Sequence, residues 1–296
     1  MKKKRRTSAT KVHFVKRNGR LNIEGLGAWY NYWNDPYHLL LTISWAGFLT
    51  LICVGYIFAN ALFALAYLAG GDGIENARPG NFLDAFFFSI QTMASIGYGA
   101  MYPKTTSANL LVTLESLVGL FGVTMATGLM FARFSRPTAR VVFSRVAVIV
   151  PYEGVPTLMF RTANQRRNLI LEASLRVSLA RDEITAEGDF MRRIYDLKLL
   201  RSQNPSFSLS WTAIHPIDEF SPLYGVKPES LFEDETTILI TLIGIDETVG
   251  QNIYAHHTFA SQDILWNMRF VDILVWEPNG DRYIDYSHFH DVKPIQ

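Results

Sequence analysis

The chain has 296 residues, a formal net charge of +1, 49% hydrophobic residues and one cysteine, Cys53. A disulfide framework within one chain is therefore excluded, and no nucleic-acid partner is expected. The averages hide a division: the first half carries two long, nearly uncharged stretches, and everything after Arg133 has ordinary globular charge density. That is the composition of a membrane protein with a substantial soluble part.

Residues 1–28 form a basic N-terminal segment. Lys2, Lys3, Lys4, Arg5, Arg6, Lys11, Lys16, Arg17 and Arg20 occur without an acid among the first twenty residues, and Lys2 to Arg6 read as a solvated tail. A cleavable signal peptide does not fit, because the basic start lies far from an apolar run that is itself too long. Residues 29–41 read as an interfacial helix, with Trp29, Tyr30, Tyr32, Trp33 and Tyr37 beside Asn31, Asn34, Asp35 and His38. Asp35-Pro36 has the form of a helix start, Asp as N-cap and Pro at the first helical position.

From Leu39 to Gly71 there is no Asp, Glu, Lys or Arg, which exceeds the ~20 apolar residues needed to cross a hydrocarbon core. An outer helix is predicted over about 42–70, with Cys53 as a small apolar filler. The amphipathic run Phe82 to Gln91 is too short to cross, and a pore helix is predicted over about 82–93. Thr92-Met93-Ala94-Ser95-Ile96-Gly97-Tyr98-Gly99 follows. A potassium filter replaces the ion's water with rings of backbone carbonyls, as in the Thr-Val-Gly-Tyr-Gly loop contributed by four subunits. Ser95, Ile96, Gly97, Tyr98 and Gly99 fit that pattern, with potassium expected at Ser95 to Tyr98. Gly97 and Gly99 supply unusual backbone angles at little steric cost, Ile96 and Tyr98 brace the loop from behind, and Ser95 adds a hydroxyl at the inner end.

An inner helix is predicted over about 105–135, which closes a pore domain of residues 42–136. Gly119, Val123, Thr127 and Phe131 recur at intervals of four and share a slowly drifting face. Such a face suits a water-filled cavity closed near its inner end by a bulky ring. Gly119, Gly122 and Gly128 equally suit close helix packing. Glu115 lies off that face, about 80° from Val123 at 100° per residue. An acid at that depth needs a partner, and it is expected behind the filter or near the outer water, bonded to loop atoms rather than in the ion path. Arg133, Arg136, Arg140 and Arg145 follow, whereas the connection between the spans holds only Arg78 and Lys104. The positive-inside rule places both termini in the cytoplasm.

Residues 137–296 carry short strand-like stretches, Thr157 to Arg161, Ala173 to Leu179, Phe207 to Trp211, Thr237 to Ile243 and Val271 to Trp276. Turn signals such as Asn204-Pro205, Ser221-Pro222 and Pro278-Asn279-Gly280-Asp281 separate them. The pattern predicts an antiparallel sandwich. There is no phosphate loop, nucleophile elbow or metal spacing. His256-His257 are adjacent and point to opposite faces of a strand, and His215 with Asp218 reads as a local hydrogen bond.

Taken together, the chain resembles a prokaryotic inward-rectifier potassium channel over nearly all its length. Besides Ser95 to Gly99, the likeness rests on Phe131-Ala132-Arg133-Phe134-Ser135-Arg136-Pro137 and on His215-Pro216-Ile217-Asp218-Glu219-Phe220-Ser221-Pro222-Leu223-Tyr224-Gly225. Ile264-Leu265-Trp266 and Tyr283-Ile284-Asp285-Tyr286-Ser287-His288-Phe289-His290 add to it. The resemblance implies a homotetramer in the bacterial inner membrane and a slide helix before the outer helix. It also implies an immunoglobulin-like cytoplasmic β-sandwich that extends the pore, and gating by anionic phospholipids that Arg133, Arg136 and Arg140 could serve. By the same resemblance, Asp189 matches an acidic residue of the cytoplasmic pore. Gly244 to Ile253 matches the loop of its constriction, with Gly250 as a flexible point.

Three departures stand out. Ser95 replaces a threonine, Gln91 stands where many animal relatives carry a glutamate that forms a salt bridge behind the filter, and Val123 replaces the acid of strong rectifiers. Polyamines or Mg2+ are accordingly expected to block weakly. The expected protein is a channel and not an enzyme, with no cofactor and potassium as the permeant ion. A weakly selective cation channel and a non-conducting, membrane-anchored sandwich that works as a receptor are the alternatives.

Overall fold

The computed structural model describes residues 13–17, 20–24, 35–166, 168–276 and 280–295. The chain forms two compact units, residues 27–136 and a second in which the N-terminal strands join residues 137–296. Lys2 to Lys11 and the aromatic cluster Trp29 to Trp33 lie outside the described residues. The basic segment nevertheless contains an antiparallel hairpin, β1 (His13–Arg17) and β2 (Arg20–Glu24), which the sequence reading does not foresee.

In the first unit, helix α1 (Pro36–Thr42) starts where Asp35 accepts the His38 amide at 3.0 Å, with Pro36 at the first position. Helix α2 (Trp45–Ala69) is capped by Ser44 and stops at Gly70, after which Gly71 takes a positive φ of 82°. The two-residue strand β3 (Ile74–Glu75), helix α3 (Phe82–Met93) and its partner strand β4 (Tyr102–Pro103) follow. Helix α4 (Thr106–Phe134) completes the unit.

At about 1.5 Å per residue, the 25 residues of α2 and 29 of α4 exceed the thickness of a bilayer core, whereas the 12 of α3 do not. Their most apolar windows are only 17% and 11% buried. Val54, Phe58 and Leu62 on α2, with Leu110, Leu120 and Phe121 on α4, are more than half exposed. A soluble protein does not leave that much contiguous apolar surface in water, so the helices require lipid or further chains. Cys53 lies on this exposed surface rather than filling an interior gap.

The second unit contains β5 (Val141–Phe143), β6 (Ala147–Tyr152), β7 (Val155–Asn164), β8 (Ile170–Ile184), β9 (Phe190–Asp196), β10 (Gln203–Phe207) and β11 (Ser210–Pro216). Helix α5 (Pro228–Glu233), β12 (Thr237–Asp246), β13 (Gln251–Ala260), β14 (Ile264–Trp266), β15 (Met268–Phe270), β16 (Leu274–Trp276), β17 (Arg282–Ile284) and β18 (Val292–Pro294) follow. One sheet has the order β10-β8-β12-β13 with β9 also on β8, and the other β11-β7-β6-β14 with β5 also on β7. Strand β12 alternates buried and half-buried positions throughout, the period-2 pattern of a sheet with one face in a core. Its Ile238, Ile240 and Leu242 meet Leu158 and Phe160 of β7, Leu175, Val177 and Leu179 of β8, and Phe259 of β13. Each such side chain contributes about 1.5–3 kcal/mol by leaving water.

The sandwich departs from the sequence reading at several points. β14 pairs with β6 in parallel, so the fold is not purely antiparallel. Asn204-Pro205 lies inside β10 rather than in a turn, which is tolerated because β10 is an edge strand and need not donate at Pro205. The stretch Phe207 to Trp211 straddles the break between β10 and β11, and Val271 to Trp276 is strand only from Leu274.

His215 does not bond Asp218. Its buried ring sits 2.7 Å from the Lys198 carbonyl through Nδ1 and 2.8 Å from Ser221 Oγ through Nε2. His256 contacts Thr241 at 3.1 Å, while His257 stacks on Phe143 across the sheet.

Burial holds the His215 imidazole below its usual value near 6.5. Its contribution to stability is thus complete above the unfolded value and is lost as pH falls from there through the lower folded value, because the unfolded chain takes up the proton first. His288, raised by Asp291, works in the opposite sense. The His215 part of the pH dependence of thermal unfolding, followed by circular dichroism between about pH 7.5 and about pH 5.5, should therefore be a loss of stability at the lower pH. His215→Gln should shrink that difference, and an unchanged difference would remove His215 as its source.

Candidate functional site: a re-entrant filter loop

The loop after α3 has a backbone that alternates in hand. Ser95, Gly97 and Gly99 take φ of 56°, 59° and 78°, while Ile96 and Tyr98 between them stay at negative φ. Alternation of left- and right-handed residues turns successive peptides the same way, so N–H groups gather on one side and carbonyls on the other. A β-strand would instead point its carbonyls alternately to both sides. Ser95 carries a Cβ into this region, where a non-glycine residue is disfavoured by about 1–2 kcal/mol. The sequence reading assigns unusual angles only to the glycines.

Backbone bonds fasten the loop to its helix. The Ile96 and Gly97 amides donate to the Gln91 carbonyl at 2.8 and 3.4 Å, and the Ser95 amide donates to the Thr92 carbonyl at 3.0 Å. A salt bridge at position 91 is therefore not needed to hold the inner end. Beyond the loop, Asn76 donates to the Ala100 carbonyl at 2.8 Å and the Lys104 amide to the Gly73 carbonyl at 2.9 Å. Arg78 grips Asp84 through a two-pronged pair of 2.9 and 2.8 Å at the start of α3. Ile96 and Tyr98 are 46% and 74% exposed, so the bracing expected of them does not come from their own chain.

Behind α3 lies a buried polar cluster. Glu115 of α4 accepts from Tyr67 of α2 at 2.6 Å and contacts Ser89 of α3. Ser89 reaches Asn60 of α2 at 2.9 Å, and Asn60 Nδ2 donates to Tyr56 O at 2.7 Å and Met93 Sδ at 3.4 Å. Glu115 thus bonds helix side chains, not the loop atoms expected from sequence. One turn on, Gly119 is buried, and a Cβ there would fall 2.4 Å from the Met93 carbonyl. Gly119 is consequently a packing point under the end of α3 rather than part of a cavity wall. Val123, Thr127 and Phe131 are exposed along α4, at 63% and 72% for Val123 and Phe131.

At the inner end of α4, Arg133 donates to the carbonyls of Leu40 and Ile43, the latter at 2.7 Å, and lies over the rings of Trp45 and Phe48 at 4.7 and 4.6 Å. Arg136 donates to the Leu41 carbonyl at 3.0 Å. Both arginines therefore take up the carbonyls that the end of α1 leaves free. Sequence offers no sign of this, since the partners lie 90 to 95 residues away.

The family model for the inward rectifier potassium channel C-terminal domain matches residues 141–296, and one for ion channels matches residues 41–136. The inward rectifier potassium channel Kirbac3.1 of Paramagnetospirillum magnetotacticum is 50% identical over 96% of this chain and 97% of its own. The chain belongs to the inward rectifier potassium channel family. Family members further away include the human ATP-sensitive inward rectifier potassium channel 12, 31% identical over 95% of this chain and 71% of its own. The mouse G protein-activated inward rectifier potassium channel 2 is 29% identical over 97% and 73%. Among solved structures, the sporulation control protein Spo0M of Bacillus subtilis superimposes at a TM-score of 0.25, with 11% identity over 44% of this chain and 50% of that chain, too low to carry an argument.

The family is one of channels and not of enzymes, with two candidate membrane helices followed here by the β-sandwich. In the sandwich, Asp189 is exposed in the turn between β8 and β9, where its carbonyl accepts from Thr185 at 2.8 Å. Gly250 closes the β12–β13 turn at a φ of 63°. Asp246 anchors that turn: though buried, it accepts from Arg166, Asn168 and the Thr248 amide at 2.9, 2.8 and 2.9 Å. Burial alone would raise its carboxyl, but these three donors hold it below the usual range. Arg166 also reaches Thr138 at 2.8 Å, and Arg140 offers its carbonyl to the Gln165 amide at 2.8 Å.

Gly97→Ala should place a Cβ at a φ of 59° and disfavour the observed backbone by about 1–2 kcal/mol in every chain. Reconstituted channels with this change should lose discrimination between potassium and sodium. Unaltered selectivity would remove Gly97 from the filter.

Proposed function

We propose that four copies of this chain surround the loop Ser95 to Gly99 and conduct potassium passively across the bacterial inner membrane, with both termini in the cytoplasm. The observation that carries this reading is the alternating hand at Ser95, Gly97 and Gly99, in a loop that enters and leaves between two membrane helices. Backbone carbonyls turned to one side, repeated around an axis, replace the hydration shell of a bare cation. The exposure of Ile96 and Tyr98 in one chain supports assembly, because neighbouring copies would supply the missing bracing. Val123 and Thr127 then face the cavity, with Phe131 as the constriction near its inner end. Asp189 and Gly250 belong to the cytoplasmic continuation of the pore.

Arg133, Arg136 and Arg140 draw anionic phospholipids to the inner face by about 1 kcal/mol per charge. A lipid biases opening only by the difference in its contacts between closed and open states. Arg133 has such a difference available, because its guanidinium is already engaged by the α1 carbonyls. A second reading, a weakly selective cation channel, is favoured by Ser95, whose hydroxyl lacks the methyl that braces a threonine.

Uptake of potassium against sodium into liposomes, zwitterionic or containing anionic lipid, tests this assignment. Potassium should enter preferentially, and lipid dependence should vanish when Arg133 and Arg136 are both replaced by Gln while assembly persists. Equal entry of both ions would establish the weakly selective reading, and entry of neither would leave a non-conducting anchor. In current recordings, internal spermine and Mg2+ should block the unmodified channel weakly and Val123→Asp strongly, since carboxylates ringing a low-dielectric passage focus potential on multivalent cations. Strong block of the unmodified channel would show that another position controls rectification.

A further inference from the structure

The cluster behind α3 poses a problem in counting hydrogens. Asn60, Ser89 and Glu115 are fully buried and Tyr67 is 3% exposed, so their polar atoms must be satisfied by one another. Asn60 has a fixed orientation: its Nδ2 faces the Tyr56 carbonyl at 2.7 Å and Met93 Sδ at 3.4 Å, which leaves Oδ1 against Ser89 Oγ at 2.9 Å. Ser89 Oγ also touches Glu115 Oε1, and Tyr67 donates to Glu115 Oε2 at 2.6 Å. A serine has one hydrogen, whereas an amide oxygen and an ionised carboxylate can only accept. With Glu115 ionised, Ser89 can serve one neighbour, and its other contact sets two acceptors together in a buried site.

One additional proton removes the conflict. Glu115 Oε1–H donates to Ser89 Oγ, Ser89 O–H donates to Asn60 Oδ1, and Tyr67 O–H donates to Glu115 Oε2. Every donor and acceptor of the four side chains then has a complementary partner. The groups that touch the carboxyl are two neutral hydroxyls, and of these only Tyr67 can titrate. We infer that Glu115 is a neutral carboxylic acid that positions the pore helix, through a directed chain of hydrogen bonds from α4 through α3 to α2.

The set bears on the filter because it ends at Met93, the last residue of α3 and two residues before Ser95. Asn60 holds the Met93 side chain, and Gly119 lets α4 press against the Met93 carbonyl. Two residues before Met93, the Gln91 carbonyl receives the Ile96 and Gly97 amides. A shift of α3 along its axis would therefore be passed directly to the alternating backbone.

Glutamine copies a neutral acid and not a carboxylate: its amide can donate to Ser89 and its oxygen can accept from Tyr67. Infrared spectra of the channel in liposomes should show the carbonyl stretch of a protonated carboxylic acid. This band should move on 13C labelling of glutamate, shift in Ser89→Ala and be absent from Glu115→Gln. Glu115→Gln should keep the potassium-to-sodium flux ratio within about twofold of the unmodified channel, as expected when every donor keeps a partner. Glu115→Leu, which strands the Ser89 and Tyr67 hydroxyls, should lower potassium flux by about tenfold or more. Absence of the band, or a Gln variant as impaired as the Leu variant, would overturn the proposal.

Discussion

A cation stripped of water must be met by oxygens on several sides, and a backbone can supply them in series only if successive peptides turn the same way. Under the proposed function, that constraint falls on the loop Ser95 to Gly99. It requires left-handed residues at alternate positions, which the chain supplies with Ser95, Gly97 and Gly99. Such a loop has no ladder of its own, so its geometry is inherited from whatever holds its ends. Here the inner end hangs from the Gln91 carbonyl and the outer side from Asn76 and the short pairing of β3 with β4. The position of α3 relative to α2 and α4 thus becomes the quantity on which the filter depends. Irregular backbone at membrane depth is tolerated only where protein surrounds it, and the two long helices provide part of that surround.

A few buried polar groups link the three helices. Asn60, Ser89, Tyr67 and Glu115 fix α3 at its centre, where side-chain hydrogen bonds cannot be exchanged for water. At the other end of α4, Arg133 and Arg136 donate to carbonyls of the α1 turn, so α1 and the end of α4 are tied through charged donors. In the sandwich, Asp246 plays the corresponding part for the β12–β13 turn, where Gly244 leaves no space for a Cβ beside Ile170.

Long-range polar contacts mark the limit of what the sequence discloses. The two long helices are legible because Leu39 to Gly71 lacks charge and Thr105 to Ala132 carries only Glu115, and the positive φ of Gly97 and Gly99 because glycines alternate after a short amphipathic helix. β8 is legible from its apolar alternation, and β7 and β12 from short apolar bursts. Ser95 gives no sign of its left-handed backbone, because nothing in its side chain demands one. The partners of Glu115 lie 26 and 48 residues away, beyond any periodicity. Asn60, a lone amide in an apolar helix, is the one member whose presence could have pointed to the cluster. Gly119 falls on the helical repeat with Val123 and Thr127, and only the approach of Met93 separates packing from cavity. Pro205 and the parallel β14 depend on which strand is an edge, which local sequence does not encode.

If backbone geometry makes the choice of ion, the choice must be present at equilibrium without any flux. Calorimetric titration of the purified channel in nanodiscs, with potassium and then with sodium, measures this most directly. The account predicts a saturable potassium isotherm that sodium neither reproduces nor displaces at equal concentration. Equal binding of the two ions, or a potassium isotherm unchanged when Gly97 is replaced by Ala, would contradict it.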